Sequence, residues 1–426
     1  MIIVDKALED RYKEGNPIKV ALVGAGFMGH GIALQIEKYV KGMELTVISN
    51  RTIAKARHAF EEAGVEKVET GNTVAQLEEA ISKGRRAITD NPDLLCQAHG
   101  VDAIIEATSD VEFSAHVAME AIRNKKNLVL MNADCDATVG PILKVYADRA
   151  GVTISATDGD QPGTMMNLYR FVNAIGYKPV LVGNMKGLQD FYRTPETQKA
   201  FAAMSGLSPR MATSFADGTK ISMENTLVAN ATGFGVGKRG MFGPKCDHVD
   251  KAKDLFSVDM LLERGLVDYI LGAQPGPGVF VLGYDVNPKR IPYMRYYKLG
   301  EGPLYVFYTP YHLASLEVPL TVARGVLFND AAVSPIGGSV CDVITIAKRD
   351  LKAGEVLDGI GGFTCYGMIE NSSTCKAENL LLMGFSEGCT LMRDIPKDGV
   401  IMNADVDKPK GRLIDRLRTE QDAHFK

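Results

Sequence analysis

Three polar segments in the middle of the chain contain residue types that can bind a metal ion, move a proton or hold an anion. The first covers residues 155–163 and includes Asp158 and Asp160. Two carboxylates two positions apart on a loop can share a hard divalent cation, and both Mg²⁺ and Mn²⁺ suit carboxylate oxygens. Aspartate, glycine and proline are also the usual residues of a simple turn. This segment alone leaves a metal site and a turn equally open.

The second segment begins at Asp217 and contains Lys220, Ser222, Glu224 and Asn225. On a helix, Lys220 and Glu224 stand at positions i and i+4 and share a face. Such a cluster can hold a phosphate, orient a substrate hydroxyl or add a metal ligand. An exposed helix with a salt bridge is the structural alternative. The uncharged donors beside the lysine favour a functional cluster.

The third segment offers Lys186 and Arg193 as anion-binding residues, although a solvated loop is an equal alternative. His248 and His312 are the histidines of the same central region. A lone histidine is more often structural than catalytic, and neither of them completes a Ser–His–Asp or Cys–His arrangement. We therefore assign no catalytic role to either histidine.

A glycine-rich turn near the N-terminus predicts a dinucleotide site. The apolar residues 20–23 run into Gly24-Ala25-Gly26-Phe27-Met28-Gly29, and a helical pattern follows. A strand before G-x-G-x-x-G and a helix after it are the context that this fingerprint needs. Its glycines allow a tight turn, close approach to the pyrophosphate and close packing of helix on sheet. The predicted cofactor contacts in this turn are Gly24, Gly26, Phe27, Met28 and Gly29.

The residues after the second strand favour NADPH over NADH. An NAD-specific enzyme usually places a carboxylate there to accept from the ribose 2′-hydroxyl. This chain has Asn50 and Arg51 instead, and Arg51 can pair with a 2′-phosphate. A structural role for Arg51 at a helix start is the alternative. Later strand ends supply the predicted nicotinamide contacts, which are Glu106, Ala107, Thr108 and Asn132.

The elements that position these residues follow a strand–helix alternation. Predicted strands cover residues 19–23, 45–48, 103–106, 128–131 and 152–156, and predicted helices cover 27–40, 53–63, 112–123 and 141–149. This alternation predicts an α/β fold with a doubly wound parallel sheet, the Rossmann type. We expect a Rossmann domain at 1–156, an α+β catalytic domain at 157–340 and a small β-rich domain at 341–426. A helix at about 313–330 should return to the first domain.

Composition excludes several classes of function. The formal charge of −4 gives no electrostatic case for nucleic acid, and no apolar run is long enough to span a bilayer. The first residues form a short amphipathic helix to about Lys13 rather than a signal peptide. The 7 cysteines form no C-x-x-C pair, so we expect reduced thiols and a cytoplasmic protein.

The order of these parts resembles the homoserine dehydrogenase-like oxidoreductases. Their signature at a strand end is similar to Ile105-Glu106-Ala107-Thr108, and their returning helix is similar to Pro319-Leu320-Thr321-Val322-Ala323. The resemblance implies that Asp217 and Lys220 serve the substrate. Where that family usually carries Asn-Lys, this chain has Asn132-Ala133-Asp134.

The whole chain also resembles the 1-deoxy-D-xylulose 5-phosphate reductoisomerase-like family. Residues 347–355 look like part of a SAF domain, a β-clip module, while the segments at Asp158 and Gly218 are similar to the metal and phosphate loops of ordinary reductoisomerases. The resemblance implies an NADPH-dependent reductoisomerase of isoprenoid precursor synthesis that acts as a homodimer on a small phosphorylated substrate. Implied ligands of the divalent cation are Asp158, Asp160 and Glu224. Implied phosphate contacts are Lys186, Arg193, Ser222 and Asn225, with Lys220, Asp217 and Glu224 as catalytic residues.

Two other functions stay open at this stage. One is a metal-free NAD(P)-dependent dehydrogenase of a sugar acid or an amino-acid alcohol. The other is a non-catalytic NADPH-sensing module that signals through its C-terminal part. Sensitivity to a chelator separates the two enzymatic hypotheses, because only the metal-assisted reaction depends on a bound cation.

Overall fold

A seven-stranded parallel sheet forms the N-terminal part of the protein, whose computed structural model describes residues 3–426. The strand order is β3-β4-β2-β1-β5-β6-β7. The chain therefore reverses its direction of travel across the sheet between β1 and β5, where doubly wound folds bind their ligands. The strands are β1 (Ile18–Val23), β2 (Met43–Ser49), β3 (Val68–Thr70), β4 (Arg86–Thr89), β5 (Ala103–Glu106), β6 (Asn127–Leu130) and β7 (Ile154–Ala156).

Seven helices accompany this sheet, and the doubly wound α/β prediction is confirmed. They are α1 (Val4–Lys13), α2 (Phe27–Tyr39), α3 (Ile53–Glu62), α4 (Val74–Ser82), α5 (Pro92–Gln97), α6 (Val111–Arg123) and α7 (Ala133–Ala150). Sequence patterns missed β3, α4, β4 and α5, which are short. They also placed the start of α7 at Pro141, which lies inside the helix. The predicted N-terminal helix is present from Val4, while Met1 and Ile2 lie outside the described residues.

A four-stranded mixed sheet, in the order β11-β10-β8-β9, forms the middle of the chain. Strands β8 and β9 are parallel, whereas β10 runs antiparallel to both β8 and β11. The strands are β8 (Lys178–Lys186), β9 (Leu266–Leu271), β10 (Gly278–Tyr284) and β11 (Leu304–Thr309). The helices are α8 (Gln161–Ala174), α9 (Lys199–Ser205), α10 (Pro209–Ala216), α11 (Thr219–Thr232), α12 (Val258–Glu263), α13 (Ile291–Tyr296) and α14 (Ala314–Phe328).

Helix α11 lies at the centre of the molecule and contacts α7, α8 and the C-terminal strands. It starts after Gly218, whose φ of +90° suits a residue without a Cβ, and it ends at Gly233 in the left-handed region. Almost all of its side chains are buried, including Lys220's neighbours Ile221 and Glu224. A helix that is buried all round can hold polar side chains only where partners are available.

Helix α14 returns to the first sheet and packs on α2, as the sequence predicted. Its residues Val318, Val322 and Ala323 join the core formed by β1, β2 and α2. Thr321 accepts a hydrogen bond from the backbone N–H of Asp158 at 2.8 Å. This contact fixes the loop after β7 against the returning helix.

The C-terminal part is β-rich and packs against both preceding parts. Its strands are β12 (Cys341–Ala347), β13 (Cys365–Asn371), β14 (Thr390–Leu391) and β15 (Val406–Asp407), and its helices are α15 (Ser372–Ala377) and α16 (Leu413–His424). Strands β12 and β13 are antiparallel, as are β14 and β15. Glu112 of α6 accepts hydrogen bonds from the backbone of Leu413 and Ile414, so it caps α16. The charged end of the chain is thus a docked helix.

A buried ion pair joins the C-terminal part to the middle of the chain. Lys348 Nζ lies 2.9 Å from Asp217 Oδ2, and the two side chains are 2% and 0% exposed. Lys348 also donates to the backbone oxygens of Arg193 and Gly362, both at 2.8 Å. Its three donors are therefore satisfied. None of the helices between residues 3 and 426 combines the length and hydropathy of a membrane-spanning segment.

Lys348→Met should destabilise the protein by about 3–5 kcal/mol, because it leaves the buried Asp217 carboxylate without its cationic partner. The measurement is the free energy of unfolding from chemical denaturation of the full chain. Lys352→Met is the control, since Lys352 and Asp394 form an ion pair whose side chains are 73% and 59% exposed. The control should change stability by less than about 0.5 kcal/mol. Equal losses in the two variants would contradict the structural role of Lys348.

Candidate functional site

A cavity of about 1120 Å³ lies where the three parts of the chain meet. Its walls include the glycine turn after β1, the residues after β5 and β6, and polar residues of α8 and α11. Met383, Glu387 and Arg412 add a wall from the C-terminal part. The cavity thus opens at the carboxyl ends of the central parallel strands, where open α/β sheets bind ligands.

The glycine turn has the geometry that a dinucleotide pyrophosphate needs. Gly24 has φ of +106°, and a Cβ there would lie 2.8 Å from the carbonyl oxygen of Ala107. A Cβ on Gly29 would lie 2.2 Å from the oxygen of Gly24, whereas a Cβ on Gly26 would meet nothing within 4 Å. Gly24 and Gly29 are therefore required for packing, and Gly26 leaves open space at the start of α2. Gly26, Phe27 and Met28 line the cavity.

The end of β2 supports the glycine turn. Asn50 Oδ1 accepts from the backbone N–H of Ala25 at 3.1 Å, and its amide nitrogen donates to Thr52. Asn50 thus holds the turn in place. Arg51 is exposed, and its guanidinium makes no hydrogen bond or ion pair within residues 3–426. It is available to a phosphate.

Some residues after β5 and β6 line the cavity, whereas others hold the local backbone in place. Ala107, Thr108 and Asn132, which are predicted cofactor contacts, line the cavity. Glu106 does not line it, because its buried carboxylate accepts from Ser114 Oγ at 2.6 Å and from the Thr108 backbone at 2.9 Å. Glu106 therefore shapes the turn and is not a direct contact. Asn132 caps α7 by accepting from Cys135 N at 3.0 Å.

One lysine and three acidic residues line the cavity as a cluster. Lys220 Nζ lies 3.9 Å from Asp160 Oδ2, with side chains 17% and 16% exposed. Asp134 and Glu224 line the same cavity. Burial works against the charge of Lys220, but the carboxylates of Asp160, Asp134 and Glu224 outweigh it and raise its pKa above the usual value. Lys220 is consequently a firmly held cation.

The pKa values of two neighbouring acidic groups, Glu224 and Asp134, are also raised, which favours their uncharged forms. Burial, with the Asp160 carboxylate beside it, raises the pKa of Glu224 to about 8, although Lys220 and Lys186 act in the other direction. Burial also raises the pKa of Asp134. Glu224 therefore carries a proton at neutral pH and is a hydrogen-bond donor there. The cluster holds a cation and a protonated acid on one face of α11.

The structure does not support the predicted divalent cation site. Asp158 is 4% exposed and pairs with Arg324 of α14, while Asn167 donates to the same carboxylate oxygen at 2.8 Å. Asp160 instead approaches Lys220. The two aspartates thus serve different partners and, with Glu224, do not form one ligand set. Within residues 3–426, no group of three or more His, Cys, Asp or Glu side chains is arranged to hold a metal ion.

Most of the predicted phosphate contacts make hydrogen bonds or ion pairs within the protein. Lys186 lines the cavity and donates to the Phe215 oxygen at 2.9 Å, and burial lowers its pKa. Arg193 pairs with Asp190 at 2.9 Å outside the cavity. Ser222 faces Gly367 of β13. These placements leave Lys186 alone, of the four predicted contacts, as a cavity residue.

Two more predicted residues were assigned to the wrong partners. Asp217, predicted to be catalytic, is fully buried against Lys348 and does not line the cavity. Asn225, predicted to bind phosphate, bonds to Asn184 and to the Ile221 oxygen. Both corrections have the same cause. Side chains on neighbouring faces of α11 and its N-terminal loop point to different neighbours, which sequence spacing does not reveal.

Sequence reasoning also missed cavity residues. Asp134, Gln161 and His312 line the cavity and come from α7, α8 and the loop before α14. Asp134 belongs to the stretch Asn132-Ala133-Asp134, where the resembling family carries Asn-Lys, so this departure from the family pattern was a usable signal. His312 was set aside because a single histidine carries little information. Gln161 gave no signal beyond its place after Asp160.

Two family models match parts of the chain. Residues 159–318 match the model described as oxidoreductase DRL, catalytic domain. Residues 19–130 match the model described as 3-hydroxyacyl-CoA dehydrogenase, NAD binding domain. A search of curated protein sequences found no match. The two matched segments identify the chain as an oxidoreductase with an NAD(P)-binding Rossmann domain.

Three solved structures are similar to parts of this chain at low identity. A probable dehydrogenase from Thermotoga maritima is 12% identical, with 68% of this chain and 75% of that chain covered and a TM-score of 0.39. Scyllo-inositol dehydrogenase from Lactobacillus casei is 12% identical, with 63% and 74% covered and a TM-score of 0.36. A putative oxidoreductase from Bacillus subtilis is 14% identical with a TM-score of 0.29; 41% of this chain is covered, and the match spans only 46% of that chain.

Glu224→Gln should remove a pH-dependent loss of stability. The pKa of Glu224 is about 8 in the folded protein, whereas glutamate in an unfolded chain titrates near about 4.3. Between these values the folded state keeps a proton that the unfolded state has lost. This group therefore lowers the wild-type free energy of unfolding as pH rises from about 4.3 to about 8.

The measurement is the free energy of unfolding at several pH values between 5 and 8. The free energy of unfolding of the variant, relative to that of the wild type, should increase across this pH window by a few kcal/mol at most. Glu196→Gln is the control, because Glu196 is 67% exposed and pairs with Lys199. A Glu224→Gln difference that stays constant with pH would contradict the raised pKa.

Proposed function

We propose that this protein is an NAD(P)-dependent dehydrogenase that interconverts a carbonyl group and an alcohol in a small polar substrate without a metal ion. A sugar acid or an amino-acid alcohol is the substrate class. The observation that carries the proposal is the Lys220 ammonium, which lies 3.9 Å from the Asp160 carboxylate and is held as a cation in the cavity beneath the glycine turn. A fixed positive charge next to a reacting oxygen is what carbonyl reduction needs.

The residues around the glycine turn fit a dinucleotide, as the open space at Gly26 and the packed positions Gly24 and Gly29 indicate. When bound, the nicotinamide supplies or accepts the hydride. In the reducing direction, Lys220 donates a hydrogen bond to the substrate oxygen and provides the proton that the new alcohol needs. Asp160 orients Lys220, while the protonated Glu224 adds no negative charge at neutral pH.

A reductoisomerase, expected from the resemblance, would use the same hydride site but would also need a divalent cation. Arg324 and Asn167 both contact Oδ1 of the Asp158 carboxylate that was expected to hold this cation, while its Oδ2 atom is buried without a hydrogen-bond partner among residues 3–426. We therefore place metal-free chemistry first. A non-catalytic NADPH sensor would not need the buried cluster around Lys220. The expected homodimer and the cytoplasmic location remain predictions from the sequence.

The experiment is a cofactor-linked assay over a substrate panel. The panel contains sugar acids, amino-acid alcohols, their carbonyl forms and ketose phosphates including 1-deoxy-D-xylulose 5-phosphate, each with Mg²⁺, with Mn²⁺ or with EDTA. We expect turnover of a non-phosphorylated hydroxy compound that EDTA leaves unchanged. Turnover of the ketose phosphate that EDTA abolishes would refute the proposal in favour of the reductoisomerase. No turnover at all would favour the sensor.

Lys220→Met should lower kcat by about 10²–10⁴-fold, the usual contribution of a general acid or base. The affinity for NADPH should stay unchanged, because Lys220 lies on α11 and not on the glycine turn. Stopped-flow kinetics and fluorescence titration measure the two quantities. Lys251→Met, at a side chain 60% exposed and paired with Asp247, is the matched control. A kcat within threefold of wild type in Lys220→Met would contradict the assignment.

Arg51→Ala should raise the KM for NADPH by about tenfold or more, as expected for a lost hydrogen bond to a charged group. The KM for NADH should not change, because NADH has no 2′-phosphate. The control is Arg85→Ala, since Arg85 is exposed on the same sheet and pairs with Glu69. An equal effect of Arg51→Ala on both cofactors would contradict the proposed preference for NADPH.

A further inference from the structure

Glu224 is a buried glutamate that has no partner in the folded chain. Three glutamates of the described residues 3–426 are buried, namely Glu106, Glu224 and Glu370, with exposures of 0%, 5% and 5%. Glu106 accepts from Ser114 Oγ at 2.6 Å, and Glu370 accepts from Arg239 Nε at 2.9 Å. Glu224 alone of the three makes no hydrogen bond or ion pair within those residues. A buried polar group without a partner is unfavourable unless a ligand supplies one.

The carboxyl group of Glu224 is open to the cavity, which its side chain lines. The polar atoms of residues 3–426 that are fully enclosed without a partner include Asp134 Oδ1 and Asn225 Oδ1, but neither oxygen of Glu224. A carboxyl oxygen that is neither enclosed nor hydrogen-bonded touches open space. The open space beside Glu224 is the cavity, so a ligand atom in the cavity can reach this group.

Charges of both signs surround Glu224. Burial and the Asp160 carboxylate raise its pKa, as Asp134 also does, whereas the ammonium groups of Lys220 and Lys186 lower it. Both lysines would repel a substrate ammonium at this position, and both aspartates would repel a substrate anion. A neutral hydroxyl avoids both conflicts. It can donate to a carboxylate and accept from a protonated carboxylic acid, so it suits either form of Glu224.

The position of Glu224 relative to Lys220 relates this hydroxyl to the reacting carbon. The two residues stand one turn apart on the same face of α11, and the Cβ atoms of such pairs are about 5–6 Å apart. A ligand whose reacting oxygen contacts Lys220 therefore places a neighbouring part of its carbon chain at Glu224. A chain with oxygens on successive carbons fits both contacts.

We propose that Glu224 binds a substrate hydroxyl close to the reacting carbon and thereby selects a sugar acid over an amino-acid alcohol. This inference rests on the proposed function and deepens it, because it chooses one of its two substrate classes. A sugar acid carries hydroxyl groups on successive carbons. An amino-acid alcohol such as homoserine has an ammonium group and a single hydroxyl.

The first experiment measures binding to the full chain by titration calorimetry in the presence of NADPH. The ligands are aldonic acids of four to six carbons and L-homoserine; a hydroxy compound and NADPH are both reduced, so no turnover occurs. We expect at least one aldonate to bind more tightly than L-homoserine. Its Kd should rise about tenfold or more in Glu224→Met and stay within about threefold in Glu224→Gln, because an amide also donates and accepts.

Tighter binding of L-homoserine, no binding of any aldonate, or an unchanged Kd in Glu224→Met would overturn the inference. Analogues of the bound aldonate that each lack one hydroxyl locate the contact. We expect one analogue to bind the wild type about tenfold or more weakly than the parent compound, and to bind Glu224→Met as well as the parent does. The same loss in both proteins would show that another residue holds that hydroxyl.

The second experiment uses the ligand-free protein and compares two equally buried glutamates. Glu224→Met should leave the midpoint of thermal unfolding unchanged or raise it, because an apolar side chain of similar shape replaces an unpartnered polar one. Glu370→Met should lower the midpoint, since Arg239 loses its acceptor. Equal losses in the two variants would show that Glu224 serves the fold and would overturn its assignment to a ligand.

The failure of this inference differs from the failure of the proposed function. If the wild type turns over no compound of the panel, the dehydrogenase proposal fails. The calorimetric titration still decides the inference in that case, since it requires binding and no turnover. Turnover of an amino-acid alcohol without turnover of any sugar acid would support the dehydrogenase and remove the role of Glu224.

Discussion

Lys220 brings a full positive charge into the cavity at a side chain that is only 17% exposed. Transferring an ammonium group out of water is costly, so the charge persists only because carboxylates surround it. Asp160, Asp134 and Glu224 belong to α8, α7 and α11, and their combined field outweighs the effect of burial on the pKa of Lys220. The cluster exists only when these helices pack in their observed positions. Lys220 therefore keeps its charge only when the cavity is correctly assembled.

The C-terminal part contributes to the same assembly. Lys348 fixes the loop at Asp217 immediately before α11, and Glu112 caps α16 against α6. Met383, Glu387 and Arg412 then form one wall of the cavity. A module that signals through a separate tail would not need such contacts. The C-terminal part is instead a structural partner of the Rossmann sheet and of α11.

The sequence predicted the parts of the site that depend on backbone geometry. At Gly24 and Gly29 a Cβ would collide with neighbouring backbone, as the fingerprint predicts, whereas a Cβ on Gly26 would meet nothing within 4 Å. The helix 314–328 and the doubly wound sheet were predicted for a similar reason, since their apolar periodicity reports burial directly. Lys220 and Asp160 were also placed in the cavity.

The sequence could not predict which partner each polar side chain would find. Asp158 and Asp160 look equivalent in a loop, yet one meets Arg324 from a helix more than 160 residues later in the chain. Asp217 meets Lys348, which is 131 residues away. Tertiary packing sets such pairings, so they cannot be inferred from the spacing of residues along the chain.

Chemical rescue of Lys220→Ala by primary amines tests the central claim most directly. The truncation leaves space between Asp160 and Glu224 that a small alkylammonium ion can occupy with the charge and proton of the lost side chain. With the identified substrate and saturating NADPH, kcat should rise with amine concentration and saturate, and a tertiary amine of equal charge but larger size should be ineffective. Unchanged kcat with every primary amine, in a variant that binds NADPH normally, would contradict the view that a buried ammonium at this position drives the reaction.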